Sequence, residues 1–248
     1  MLRTARRGIL GALCLLTALC VGWAKANASV PKPSTEVLVL GTIEELHNFN
    51  PQYRYHQLFQ LIASFRPDVI GLGIRPEDLG QPLSYLQQHY SEAMVKLALQ
   101  YAPRAVGLDW LDPVLEGVLI PDDYHERRQA YWLLMEEEYD SPELMALQQE
   151  LLQMRLTQPP EVLMGAEFQI LQLAERFRLD SLRRHSRFEY LATHQHRRDR
   201  HILVNSLQLI KSAPGRRVVL VVGLDEYSTL LRGLQRFGQD IELLQLPL

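Results

Sequence analysis

Five acids and one histidine follow closely on apolar runs of this sequence, where they could act together. Glu44, Glu45 and His47 follow the run 37–40 across Gly41-Thr42, Asp109 follows 105–108, and Asp225 and Glu226 follow 218–222 across Gly223. Carboxylate oxygens and an imidazole nitrogen suit a divalent cation such as Mn, Mg or Zn, whose charge would offset the repulsion among the acids. The ligand set predicted on this basis is Glu44, His47, Asp225 and Glu226. Without a metal, crowded carboxylates raise one another's pKa, which can make one of them a general acid. Arg75, after the run 69–74, would share that rim, and Arg197 or Arg200, in the stretch that leads back to 218–222, would steady a developing anion. The catalytic candidates are therefore Glu44, Arg75, Asp109, Arg197, Arg200 and Glu226. A plainer expectation stands beside these: acids just past a strand cap the next helix and are favoured by its dipole. Asp109 can equally be a buried carboxylate bonded to backbone amides.

These residues share a site only if the apolar runs form one sheet. The runs 37–40, 69–74, 105–108, 218–222 and 241–246 lack polar alternation, which predicts strands covered on both faces, as in a parallel sheet. Helical patterns at 55–65 and 84–101 are long enough to be crossovers. From 122 to 186 the chain is rich in Leu, Glu, Gln and Arg at helical spacing, broken at Ser141-Pro142 and at Gln158-Pro159-Pro160, and reads as a helical cap insertion. Further helices are predicted at 190–211 and 227–237. The fold class is therefore α/β, a mostly parallel central sheet flanked by helices, in a single domain over 29–248. In such sheets ligands bind outside the carboxyl ends of the strands, where the candidate residues fall.

Several function classes lose their support. The chain has no Gly-x-Gly-x-x-Gly, Walker loop or Gly-x-Ser-x-Gly elbow, the usual marks of nucleotide binding and serine hydrolysis. The stretch 176–201 is dense in arginine and histidine and reads as a solvated helix face pairing with Glu136-Glu-Glu138, although His194, His196 and His201 invite a metal. His194 and His196 are two apart, so on a helix they diverge. His56, His89, His125 and His185 stand alone and are read as surface or core residues.

At the N-terminus Arg3, Arg6 and Arg7 precede an apolar run that ends at Trp23, and Ala26-Asn27-Ala28 offers a cleavage site, so residues 1–28 read as an export signal. The run is shorter than the ~20 residues of a spanning helix, so contact with a membrane is expected only through an uncleaved signal or a lipid anchor at Cys20. Cys14 and Cys20 both lie in this segment, and the remainder has no thiol for catalysis or disulfides. Cleavage leaves 22 Lys and Arg against 29 Asp and Glu, a charge of about −7 that argues against nucleic acid as partner. The expected destination is periplasmic or secreted, and the expected partner a small molecule or peptide.

Over about 36–110 and 187–246 the chain resembles the TraB/Tiki superfamily, which takes in relatives of the haem-binding lipoprotein ChaN and the erythromycin esterases. The resemblance rests on Val-Leu-Val-Leu-Gly41-Thr, on Phe65-Arg-Pro-Asp-Val-Ile-Gly-Leu-Gly73-Ile-Arg-Pro-Glu-Asp78, on Arg197-Arg-Asp-Arg-His-Ile-Leu-Val-Asn205 and on Val219-Leu-Val-Val-Gly223. It implies a metal-dependent hydrolase or peptidase with two Gly-x-x-His motifs and a glutamate after the second strand. Here the motifs read Gly41-Thr-Ile-Glu44 and Gly223-Leu-Asp-Glu226, and the glutamate's place falls on Gly73. This triple departure predicts a degenerate hydrolase site with a ligand-binding or interaction role. The alternatives are a metal-dependent hydrolase of peptides or esters using Glu44, His47 and Glu226, and a haem-binding protein with Tyr53, Tyr55 or His47 on the iron.

Overall fold

The computed structural model describes residues 34–139, 141–238 and 241–246, which belong to one compact unit; the export signal predicted over 1–28 lies outside them. Five strands form one sheet: β1 (Thr35–Thr42), β2 (Val69–Leu72), β3 (Ala105–Gly107), β4 (Arg217–Gly223) and β5 (Ile241–Leu244). Their order is β3-β2-β4-β1-β5, and every neighbouring pair is parallel. β1 and β4 sit inside the sheet, and Val37, Leu40 and Val218 to Val221 are fully buried, as runs without alternation require. The edge strand β5 is only partly covered.

The crossovers are helical. The chain passes from β1 to β2 through α1 (Tyr55–Phe65) and from β2 to β3 through α2 (Leu83–His89) and α3 (Glu92–Gln100). The single helix predicted over 84–101 is thus two, because Tyr90 and Ser91 are extended, with ψ of 151° and 153°. That break has a use, since it turns the end of α2 toward the rim of the sheet.

Between β3 and β4 lie α4 (Tyr124–Glu138), α5 (Pro142–Thr157), α6 (Pro160–Leu163), α7 (Ala166–Arg183) and α8 (Glu189–Ser212). Prolines open α5 and α6, where a missing N–H costs nothing, and the Ser141 hydroxyl accepts the Leu144 N–H at 3.4 Å. Met135, Leu144, Leu179, Phe188 and Leu191 form a second small core among these helices. The last helix, α9 (Leu224–Phe237), starts immediately after β4, three residues earlier than the sequence pattern suggests. Among the described residues no helix is long and apolar enough to cross a membrane.

Two buried polar networks pin the loops near the strand ends. Arg75 is 2% exposed; its guanidinium grips Asp78 with two bonds of 2.6 and 2.8 Å and donates to the carbonyls of Leu115 and Val118 at 2.7 and 2.9 Å. Asn50 donates to the carbonyls of Arg155 and Gln158, both at 2.8 Å, and so ties the loop after β1 to the end of α5.

One close approach holds β3 against the turn after β2. A Cβ on Gly107 would lie 2.5 Å from the Pro76 nitrogen and 2.7 Å from the Arg75 carbonyl carbon, both backbone atoms that cannot rotate away. Gly107→Ala should therefore destabilise the fold by about 1–3 kcal/mol in chemical denaturation, whereas Gly80→Ala, with nothing within 4 Å of the new methyl, should change it little.

Candidate functional site

The sheet register brings two of the predicted acids together. Thr42 at the end of β1 is the neighbour of Gly223 at the end of β4, so Glu44 and Glu226, each a few residues on, emerge side by side. Gly223 makes room for them: a Cβ there would collide with Glu226 Oε2 and come within 3.8 Å of Glu44 Oε1. Both carboxyls line a cavity of about 190 Å³ at the carboxyl ends of the strands, together with Asp109 beyond β3 and Gly73 beyond β2.

Arg198 joins these strand ends. From α8 its Nε and Nη2 donate to the two oxygens of Asp109 at 2.7 and 2.9 Å, and its Nη1 donates to Glu226 Oε1 at 2.7 Å. Asp109 and Glu226 are 3% and 8% exposed, so the guanidinium is the counter-charge for two desolvated acids. Burial pushes Glu226 above its ordinary range even so, with Arg198 opposing the rise and Asp225, Asp109 and Asp199 adding to it. Asp109 also accepts the Trp110 N–H at 2.7 Å.

Glu44 lies at the open side of the cavity, on a turn that the sequence around it builds. Its φ is +53°, a left-handed conformation that is strained for a residue with a Cβ and persists only where neighbours enforce it. His47 is the enforcer. Its Nδ1 donates to the Tyr53 carbonyl at 2.6 Å, and its Nε2 accepts from the Thr42 hydroxyl at 2.8 Å and the Ile43 N–H at 3.3 Å. Thr42 Oγ1 in turn accepts the Glu44 N–H at 3.2 Å. Burial holds the His47 pKa down at about 4, so the ring is neutral, as these roles need. For Glu44 the protein packed around its carboxyl, then Glu226, Asp225 and Glu45, push the pKa up to about 7.

The remaining predicted residues lie elsewhere. His47 is 1% exposed with both ring nitrogens engaged, so it positions Glu44 and is unavailable to a metal. Asp225 is one residue from Glu226 and hence about 100° round the helix; it is exposed, paired with Arg155 and bonded by Gln172 at 3.2 Å, away from the cavity. Arg75 is fully committed to its loop. Arg197 and Arg200 are exposed on α8, and neither lines the cavity. The four-residue metal set is therefore not assembled, and no group of three or more His, Cys, Asp or Glu suited to a metal occurs among the described residues. The haem candidates are also engaged: the Tyr53 hydroxyl donates to the Gly41 carbonyl at 2.8 Å, and the Tyr55 hydroxyl to the Glu44 carbonyl at 3.2 Å.

Sequence reasoning missed Arg198, His89, His125 and Arg128, which do line the cavity. The signal for Arg198 was present: Leu191, His194 and Ile202 are buried, and Arg198 falls four residues from both His194 and Ile202, on the inward face of α8. His89 ends α2, is 6% exposed, and has no hydrogen-bond partner at either ring nitrogen among the described residues. Its ring lies 5.5 Å from that of His125, and burial keeps both imidazoles below their ordinary pKa. The acids of the cavity come from beyond the ends of β1, β3 and β4, and its histidines from α2 and α4. Comparison of the chain with known protein families, curated proteins and solved structures found no match.

A carboxyl whose folded pKa is raised favours the fold when protonated, so the contribution of Glu44 is present below its unfolded pKa and is lost as pH rises through about 7. Carbon-detected NMR of glutamate-labelled protein should show Glu44 titrating well above the ordinary ~4.3 and moving back toward it in Glu226→Gln. A titration at the ordinary value in the wild type would show that the two carboxyls do not share a site.

Proposed function

We propose that this chain is an exported protein of TraB/Tiki-like architecture whose rim binds a small molecule or peptide terminus through a positively charged group, in place of the hydrolysis that the resemblance implies. The observation that carries this reading is the pair Glu44 and Glu226 at Gly223, served by one guanidinium already shared between Asp109 and Glu226. That part of the cavity has more carboxylate than counter-charge, and an ammonium group between Glu44 and Glu226 would supply it while donating N–H bonds to their oxygens.

Four further features support binding over turnover. Gly73 stands on the cavity wall where the resemblance calls for a glutamate, and both histidine places hold glutamates. The one nearby histidine of that loop, His47, is locked into the backbone. A volume of about 190 Å³ is below the ~300 Å³ where drug-sized ligand sites begin, so the rim suits one group of a ligand. His89, whose ring nitrogens have no partner among the described residues, offers the ligand a further hydrogen bond.

Calorimetric titration of the protein with primary amines, such as methylammonium and amino-acid esters, against sodium at matched ionic strength should give saturable binding. Glu226→Gln should weaken it about tenfold, the loss of one charge-assisted bond. Near-stoichiometric Mn, Zn or Mg by mass spectrometry, with peptide or ester hydrolysis abolished in Glu44→Ala, would contradict the proposal in favour of a metal-dependent hydrolase.

A further inference from the structure

A second cavity, of about 170 Å³, lies among α5, α7 and the first turn of α9, and its lining includes three arginines: Arg155, Arg176 and Arg183. Arginine side chains are almost never buried without acceptors, because a desolvated guanidinium loses both its hydration and its hydrogen bonds. Arg183 is 3% exposed and incompletely satisfied. Its Nε points at the thioether of Met135 at 3.3 Å, a weak acceptor, and its Nη1 is 4.0 Å from Asp180. Its Nη2 is buried without a hydrogen-bond partner among the described residues. The Trp132 ring 4.2 Å from the guanidinium offsets part of the charge but accepts no N–H in the guanidinium plane. Arg155 repeats the pattern: it pairs with Asp225, while its Nε is buried and has no hydrogen-bond partner among the described residues.

The acids of the same cavity are in the opposite condition. Asp225 is held by Arg155 and Gln172, and Asp180 accepts from His196 at 3.0 Å. Arg176 is also satisfied, by Thr229 at 3.0 Å and by Asp199. Arg183 and Arg155 therefore each keep one buried N–H donor, Arg183 Nη2 and Arg155 Nε, without an acceptor among the described residues. Burial depresses the Arg183 pKa to about 10, with Asp180 and Glu175 opposing the fall only in part. A water molecule could accept from these donors, but its bonds to a guanidinium are weaker than the charge-assisted bonds of an oxyanion.

We propose that this cavity binds a small oxyanion, a carboxylate or a phosphate, whose oxygens accept from Arg183 Nη2 and Arg155 Nε. The site is separate from the rim cavity, since neither arginine lines the latter. An anion there would tie α5 to α7.

The test is calorimetric titration of the full chain with sodium phosphate and, separately, sodium acetate, against sodium chloride at matched ionic strength. The expected result is saturable binding of one anion per chain. Arg183→Met, which keeps an unbranched stem against Trp132, should weaken it at least about tenfold, because a charge-assisted bond is lost. Arg155→Lys, which keeps the cation but removes Nε, should weaken it about threefold or more and decides the matter if Arg183→Met does not fold. Arg187→Gln, an exposed arginine paired with Glu138, should bind as the wild type does. Binding of phosphate alone would assign the site to phosphate groups, and binding of both anions to small oxyanions including carboxylates. A response to both anions no larger than to chloride, or one unchanged in Arg155→Lys and in folded Arg183→Met, would overturn the proposal.

Discussion

The Arg198 guanidinium is the interaction on which the rest of the rim depends. It reaches Asp109 past the end of β3 and Glu226 in the first turn of α9, and so fastens α8 to two strand ends at once. Removing one member of such a buried set leaves an uncompensated charge, which costs more than the pair contributes. The same bonds fix where the acids point. Glu226 can fold back beside Gly223 because its carboxyl is held by Arg198 on one side and no Cβ obstructs it on the other.

Around that hub the protein holds its loops with other buried polar groups. Thr42, His47 and Tyr53 keep Glu44 in a left-handed turn, and Arg75 with Asp78 and two carbonyls fixes the segment beyond β3. Histidine and arginine in these places look from their chemistry like catalytic groups. Their hydrogen-bonding capacity, however, is taken up by the loops they pin, through backbone groups and the side chains of Asp78 and Thr42. The Glu44 carboxyl and the His89 imidazole line the rim without such commitments, an arrangement suited to recognising a polar group. Fixed dipoles and charges of this kind bind best when they do not have to reorganise, which is what the surrounding clamps ensure.

Much of the architecture was legible in the sequence. Runs such as Val218 to Val222 lack alternation because both faces of a parallel strand are covered, and that property survives without knowing the partners. The order of the strands was not legible. That β4 returns between β1 and β2 is settled by packing far along the chain, yet this return is what makes Thr42 and Gly223 neighbours and Glu44 and Glu226 a pair. Glu44, Asp109 and Glu226 were identified because acids following an apolar run must lie at one end of the sheet. Asp225 was misplaced because adjacent residues on a helix face different ways, and the early start of α9 decides which of the two faces the cavity. Arg197 and Arg200 flank the arginine that reaches the rim, and helical phase within the buried positions of α8 would have chosen Arg198. His89 could not be found from sequence, because its place depends on the break between α2 and α3.

The rim depends on Arg198 acting as one unit with the acids it joins, and a double-mutant cycle over Arg198→Met and Asp109→Asn measures that directly by denaturant unfolding. Groups sharing a buried ion pair should show a coupling of about 1–3 kcal/mol, with the double variant more stable than the sum of the single losses implies. Single losses that simply add would mean that the guanidinium and the carboxylate act independently, and that the rim is held together by something other than this bond.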